Sequence, residues 1–108
     1  MSKNRFTPEV RKHQIVQAGL VVARRGGYAA VTYSAIAREV GISAPSVTYH
    51  YKTMPQLRRA IMRHAIKKED GLVVAMGAKA GDQHAAKAPM QLLTEGRKAL
   101  KEWEPCLN

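Results

Sequence analysis

Acidic residues are scarce in this chain, with eight Asp+Glu against eighteen Lys+Arg over 108 residues. They are scattered, without a plausible dyad for acid–base hydrolysis. Cysteine is almost absent. A single thiol, Cys106, excludes an internal disulfide and fits a reducing compartment. The four histidines, His13, His50, His64 and His84, lie far apart and show no H-E-x-x-H or Cys–His spacing, so no metal ligand set is expected. Neither a glycine-rich phosphate loop nor a G-x-S-x-G turn occurs. No enzyme, catalytic residue or cofactor is expected from this inventory. Apolar runs such as "GLVVAMGA" are far too short to span a bilayer, and no apolar segment follows the basic start "MSKNRF", so no membrane partner and no secretory signal are expected. The expected location is the cytoplasm.

What the chain has in excess is positive charge. The formal net charge is +10 and the isoelectric point about 10.2, a surplus that favours a polyanionic partner, most often nucleic acid. It is unevenly placed. Thirteen Lys+Arg stand against four Asp+Glu up to Asp70, and five against four from Gly71 onward. The division suggests residues 1–70 as a polyanion-binding unit and residues 71–108 as a tail with another task.

Helical spacing dominates the pattern. Thr7-Pro8-Glu9 is a capped helix start, and Ile15, Ala18, Gly19 and Val22 form one apolar stripe before Gly26-Gly27, predicting a helix from Pro8 to about Arg25. Thr32 caps a short helix over 33–40, with Ile36 and Val40 inward, Ala37 small enough for close crossing and Gly41 as its stop. Ser43 caps a third helix that carries Pro45 in its first turn and runs to about Tyr51. Thr53-Met54-Pro55-Gln56 reads as a capping box opening a fourth helix with Leu57, Ile61 and Ala65 on one side. That helix is expected to end or bend near Gly71, with a helical continuation through "LVVAM" open. "GAKAGDQHAAKAP" reads as a linker, and a last helix follows Pro89 and stops before Pro105. No strand alternation occurs. The expected fold is all-α: a three-helix helix-turn-helix unit, a fourth helix and a short helical tail.

Two short helices joined by a glycine fit a helix-turn-helix, the alternative being two core helices that share a tight turn. The wider stretch decides between them. Gly27-Tyr28, Thr32, Ile36-Ala37, Gly41-Ile42-Ser43, Val47, His50-Tyr51, Lys52 and Leu57 stand where the TetR family of bacterial regulators has its pattern, and the chain resembles that family's DNA-binding domain over roughly residues 10 to 65. Two positions depart from it. Thr48 replaces a tyrosine, with Tyr49 next to it, and Met54 replaces a common lysine.

The resemblance implies double-stranded DNA as partner. It also gives a meaning to "SAPSVTYH", a run without lysine or arginine in a very basic chain. Cations suit phosphates, while short hydroxyls and aromatics suit base edges and thymine methyls. Pro45, Ser46, Thr48 and Tyr49 are therefore the expected base-reading residues, and Arg38, Ser43, His50, Lys52 and Arg58 the expected phosphate contacts. Lys3 and Arg5 are expected either to form a minor-groove arm or to remain a basic tail.

Leu92, Leu100 and Trp103 share a helical face with Gly96 and are the expected self-association residues, the alternative being that the stripe packs on its own fourth helix. About forty residues follow the DNA-binding unit, too few to wrap a small-molecule effector. The expected function is a sequence-specific transcriptional regulator, a homodimer or higher oligomer, in an arrangement that suits a phage or mobile-element regulator. The alternatives are a DNA-binding adaptor for replication, partition or recombination, and a truncated ligand-responsive repressor.

Overall fold

Short polar side chains open nearly every helix. The computed structural model describes residues 7–106, which form seven α-helices and no strand. Helix α1 spans Pro8–Gly26, α2 Tyr33–Val40, α3 Ala44–His50, α4 Met54–Lys67, α5 Gly71–Lys79, α6 Gln83–Ala86 and α7 Met90–Glu102, with a single 3₁₀ turn at Tyr28–Ala30. Thr7, Thr32, Ser43 and Thr53 each accept a hydrogen bond from the amide three residues on, as their positions lead one to expect. Only half of the expected capping box forms, because Gln56 makes no return bond to the Thr53 amide among the described residues.

The described architecture departs from expectation after α4. That helix stops at Lys67, four residues before Gly71. Glu69 takes a left-handed conformation (φ 57°) and the Asp70 amide donates to the Ala65 carbonyl at 2.8 Å, a closure usually built on glycine. Gly71 then starts a helix, because Asp70 caps it through the Val73 amide. The stretch read as a linker holds the end of α5 and the whole of α6, which Asp82 caps through the Ala85 amide. In both places an aspartate beside a glycine outweighs the glycine's tendency to break helices.

One apolar core runs through the whole described chain. Its largest fully buried members are Ile15, Ile36, Val47, Leu57, Met62, Val73 and Val74. Each buried aliphatic side chain contributes about 1.5–3 kcal/mol relative to exposure. Val73, Val74, Met76, Ala85, Ala88 and Leu93 belong to the same cluster as Ile15 and Ile36, so the core crosses residue 70 without interruption.

Helix α7 lies on α5, and the apolar stripe expected at a self-association face packs within the chain. Leu92, Leu100 and Trp103 are each partly covered by their own core, with α5 rather than α4 as the main support for α7. Gly96 faces Gly71 where the two helices cross, and a methyl group on Gly96 would collide with the Gly71 carbonyl.

The carboxyl end of α1 receives donors from far along the chain. A helix leaves its last four carbonyls without intrahelical partners. The Trp103 indole N–H donates to the Arg24 carbonyl at 2.7 Å, and the Cys106 amide to the Arg25 carbonyl at 2.7 Å. Beside them the Arg24 guanidinium pairs with Asp70 at 2.6 Å. The Tyr28 hydroxyl donates to Asp82 Oδ2 at 2.8 Å, and burial first, then Asp82, pushes that hydroxyl far above the usual tyrosine range. Two aspartates thus each cap a helix and hold the end of the first one.

The Gly96 contact gives a direct test. Gly96→Ala should lower the unfolding free energy by about 1–3 kcal/mol through overpacking, read from urea or thermal unfolding. Lys98→Ala, two exposed positions further on, should change it by less than about 0.5 kcal/mol. Equal stability of both variants would show that α5 and α7 do not cross at this closeness.

Candidate nucleic-acid interface

Helices α2 and α3 are held as a pair by a turn that only a left-handed residue completes cheaply. Gly41 adopts φ 88°, and the Gly41 and Ile42 amides both donate to the Ala37 carbonyl, at 2.8 and 2.9 Å. Ile36, Ala37 and Val47 are buried beneath the turn. The Tyr33 hydroxyl donates to the Tyr51 carbonyl at 3.2 Å, tying the start of α2 to the end of α3. Burial of Val47 on one side of a seven-residue helix leaves the opposite side to solvent.

That outer side carries the residues expected to read bases. Tyr49 is 72% exposed, its ring edge-on to His50 with centroids 5.1 Å apart. Pro45 and Thr48 are exposed, and with Tyr33, Ala44, Tyr49 and Lys52 they line a shallow, mainly apolar concavity. The Thr48 hydroxyl donates back to the Ala44 carbonyl at 3.2 Å. Ser46 is half-buried, and its hydroxyl lies 2.9 Å from that of Ser43, which also caps the helix. A hydroxyl offers one donor and two acceptor sites, so capacity for a further partner remains on each serine.

Apart from Lys52 at its rim, the cations gather beside this face. Lys52, His50, Tyr51 and Gln56 line a depression of about 510 Å³ with Lys12 of α1 and Arg59, Ala60 and Arg63 of α4. Lys12 Nζ stands 5.7 Å from the Tyr51 ring centroid, and Lys52 Nζ 5.6 Å from that of Tyr49. Burial, reinforced by Lys12 and Arg11, holds the His50 pKa below its ordinary value, so near neutral pH the imidazole is an uncharged hydrogen-bonding group. Arg38 is exposed in the last turn of α2.

Arg58, expected among the phosphate contacts, has its guanidinium 5.9 Å from the Tyr28 ring centroid and lines a neighbouring groove rather than the depression beside Lys52. Arg59 takes the place beside Lys52. Neighbouring helix positions point about 100° apart, and the sequence offered two arginines in a row without a way to choose. Lys12 and Arg63 were also missed. Their signal was present as Arg59 and Arg63 four residues apart on one helix face, but the α1 partner becomes apparent only in the fold. Lys3 and Arg5 lie outside the described residues. Among the described residues no three His, Cys, Asp or Glu side chains group to hold a metal ion, and no helix is long and apolar enough to cross a membrane.

A polar helix presented to solvent, seated on a partner helix anchored by Ile36 and Ala37 and flanked by cations, is the geometry of a helix-turn-helix DNA-binding unit. Comparison with known proteins agrees. Residues 15–61 match the family model described as "Bacterial regulatory proteins, tetR family". The chain is 30% identical over 87 residues to the HTH-type transcriptional regulator BetI of Proteus mirabilis (strain HI4320), a match that covers 81% of this chain and 43% of that relative. The chain thus spans less than half the length of that relative. No solved structure matches. The chain carries a TetR-family helix-turn-helix DNA-binding domain.

The histidines of this region set an acid limit. His64, edge-on to His13 at 5.3 Å, has a lowered pKa through burial first, then through His13, Lys68 and Lys67. With folded values below the ordinary 6.5 for both His50 and His64, the unfolded chain binds protons first as pH falls. The associated stability is complete above about pH 6.5 and is lost as pH drops through the folded values. Tm by circular dichroism should fall between about pH 7.5 and pH 5.5, and His64→Gln should shrink the fall. A variant whose Tm falls as far as that of the wild type would remove His64 from the effect.

Proposed function

We propose that the protein is a sequence-specific regulator of transcription that binds double-stranded DNA as a dimer on a two-fold or repeated operator. It acts in the cytoplasm, without catalysis. The observation that carries this reading is the division of labour around α3. Tyr49, Thr48, Pro45 and Ser46 form a hydroxyl and aromatic face with Lys52 at its rim, and Lys12, Arg59 and Arg63 lie beyond its end. Base edges take the first set, through hydrogen bonds and contact with thymine methyls; flanking phosphates take the second. Ser43, His50 and Arg38 extend the phosphate set.

One recognition helix reads only a few base pairs, so useful specificity calls for two copies about 34–36 Å apart on the duplex. We assign self-association to the outer side of α5 and α7, where Ala75, Ala78 and Leu100 line a slot rimmed by Lys79, Arg97 and Lys101, and Leu92 keeps part of its surface open. Trp103 belongs to this assignment only indirectly, since its indole is tied to Arg24.

Selection of bound sequences from random DNA supplies the cognate site. On that site Tyr49→Ala should cost about 1–3 kcal/mol and on random duplex almost nothing. Lys52→Ala should weaken both duplexes alike and lower the slope of log affinity against log salt by about one phosphate's worth. Equal losses on both duplexes for Tyr49→Ala would refute base reading by this face. For the assembly, Leu100→Glu should sediment as a monomer that keeps half-site binding and loses the full site. A Leu100→Glu dimer with normal operator binding would overturn the assigned surface.

A further inference from the structure

Next to the basic depression, and sharing Arg59 with it, lies a second groove of about 610 Å³, between the first turns of α4 and the segment around α6. Arg58, Arg59 and Lys87 border it, with His84, Gln83 and Asp82. Among the described residues none of the three cations forms an ion pair. Arg58 is half-buried and its Nε–H is buried with no hydrogen-bond partner. A buried donor of that kind costs roughly 1–3 kcal/mol when left unmatched. Asp82 does not satisfy it. Its Oδ1 accepts from the Ala85 amide and its Oδ2 from the Tyr28 hydroxyl, at 3.0 and 2.8 Å. Three fixed positive charges and one carboxylate leave two uncompensated positive charges around one concavity.

We infer that this groove binds a phosphate group, as free phosphate or a small phosphomonoester, and that its occupation weakens the hold on DNA. The planar guanidinium of Arg58 matches two oxygens of a tetrahedral dianion and provides the Nε–H donor that now lacks an acceptor. Lys87 neutralises from the opposite wall as a point charge, and His84 and Gln83 offer further hydrogen bonds. The link to DNA is Arg59, which borders both this groove and the basic depression beside α3. A dianion seated in the groove draws on the Arg59 charge and lowers the positive potential offered to the duplex. This second step rests on the proposed DNA-binding function; the first does not.

The test starts with inorganic phosphate added to the full chain without DNA, at ionic strength matched with chloride. Calorimetry should give saturable binding to one site, and the Arg58 Nε–H resonance should shift in nitrogen–proton spectra. Arg58→Gln and Lys87→Gln should each weaken binding at least about fivefold, since each removes a charge-assisted contact. Lys87 is exposed, so that variant stays informative if Arg58→Gln fails to fold. Lys98→Gln should bind phosphate like the wild type. Succinate, a dianion of different shape, should bind more weakly. Phosphate should then reduce affinity for the cognate duplex beyond the matched chloride control in the wild type but not in Lys87→Gln. No saturable binding, binding indifferent to both variants, preference for succinate, or unchanged duplex affinity would each overturn the inference. Loss of duplex affinity in Lys87→Gln without any free-phosphate binding would assign the groove to a DNA phosphate instead, and the inference would fall.

Discussion

The last carbonyls of α1 need donors, and the way they find them organises the molecule. Gly26 and Gly27 end the helix, leaving the Arg24 and Arg25 carbonyls pointing out of it. The Trp103 indole and the Cys106 amide meet them, while Arg24 itself reaches Asp70 at the start of α5. Helix α1 also carries Ile15 into the core shared with Ile36 under the helix-turn-helix. Fixing its end therefore fixes the recognition helix relative to α5–α7. The carboxyl-terminal helices buttress the reading head instead of trailing from it.

Electrostatics follow the same economy. Asp70 and Asp82 each serve a helix cap and a long-range partner, and Glu39 pairs with Arg25 at 3.0 Å. With three of the few acids engaged in this way, the cations around α4 are left to face outward. The same scarcity of acids leaves two positively lined depressions along α4, and Arg59 stands on the boundary between them.

Local chemistry made much of the fold legible. Thr7, Thr32, Ser43 and Thr53 announce their helices because a cap is a contact between residues three apart. Ile15, Ile36, Val47, Leu57 and Ile61 announce their burial because periodicity is equally local. Asp70 and Asp82 were hidden by the glycines beside them, which read as breaks. The candidate site divides along the same line. The polar face of α3 was visible as a run without cations. The side of α4 to which Arg58 and Arg59 turn depends on the position of α1 and α6, and Trp103 gave no sign of a partner near residue 24. Contacts between residues remote in sequence leave no periodic trace.

The bond from Trp103 to Arg24 links positions 79 residues apart, and this separation bears on the order of events during folding. Caps and helix pairs within α1–α4 close short loops, at small entropic cost and therefore early. The bond at the end of α1 closes a loop of 79 residues, so its completion belongs to the late side of the folding barrier. On a ribosome the helix-turn-helix can assemble while the end of α1 is still open, waiting for the residues that seal it. Late contacts of this kind govern the unfolding rate more than the folding rate. The carboxyl-terminal segment is therefore a kinetic latch, setting how long the reading head lasts once formed rather than how fast it forms.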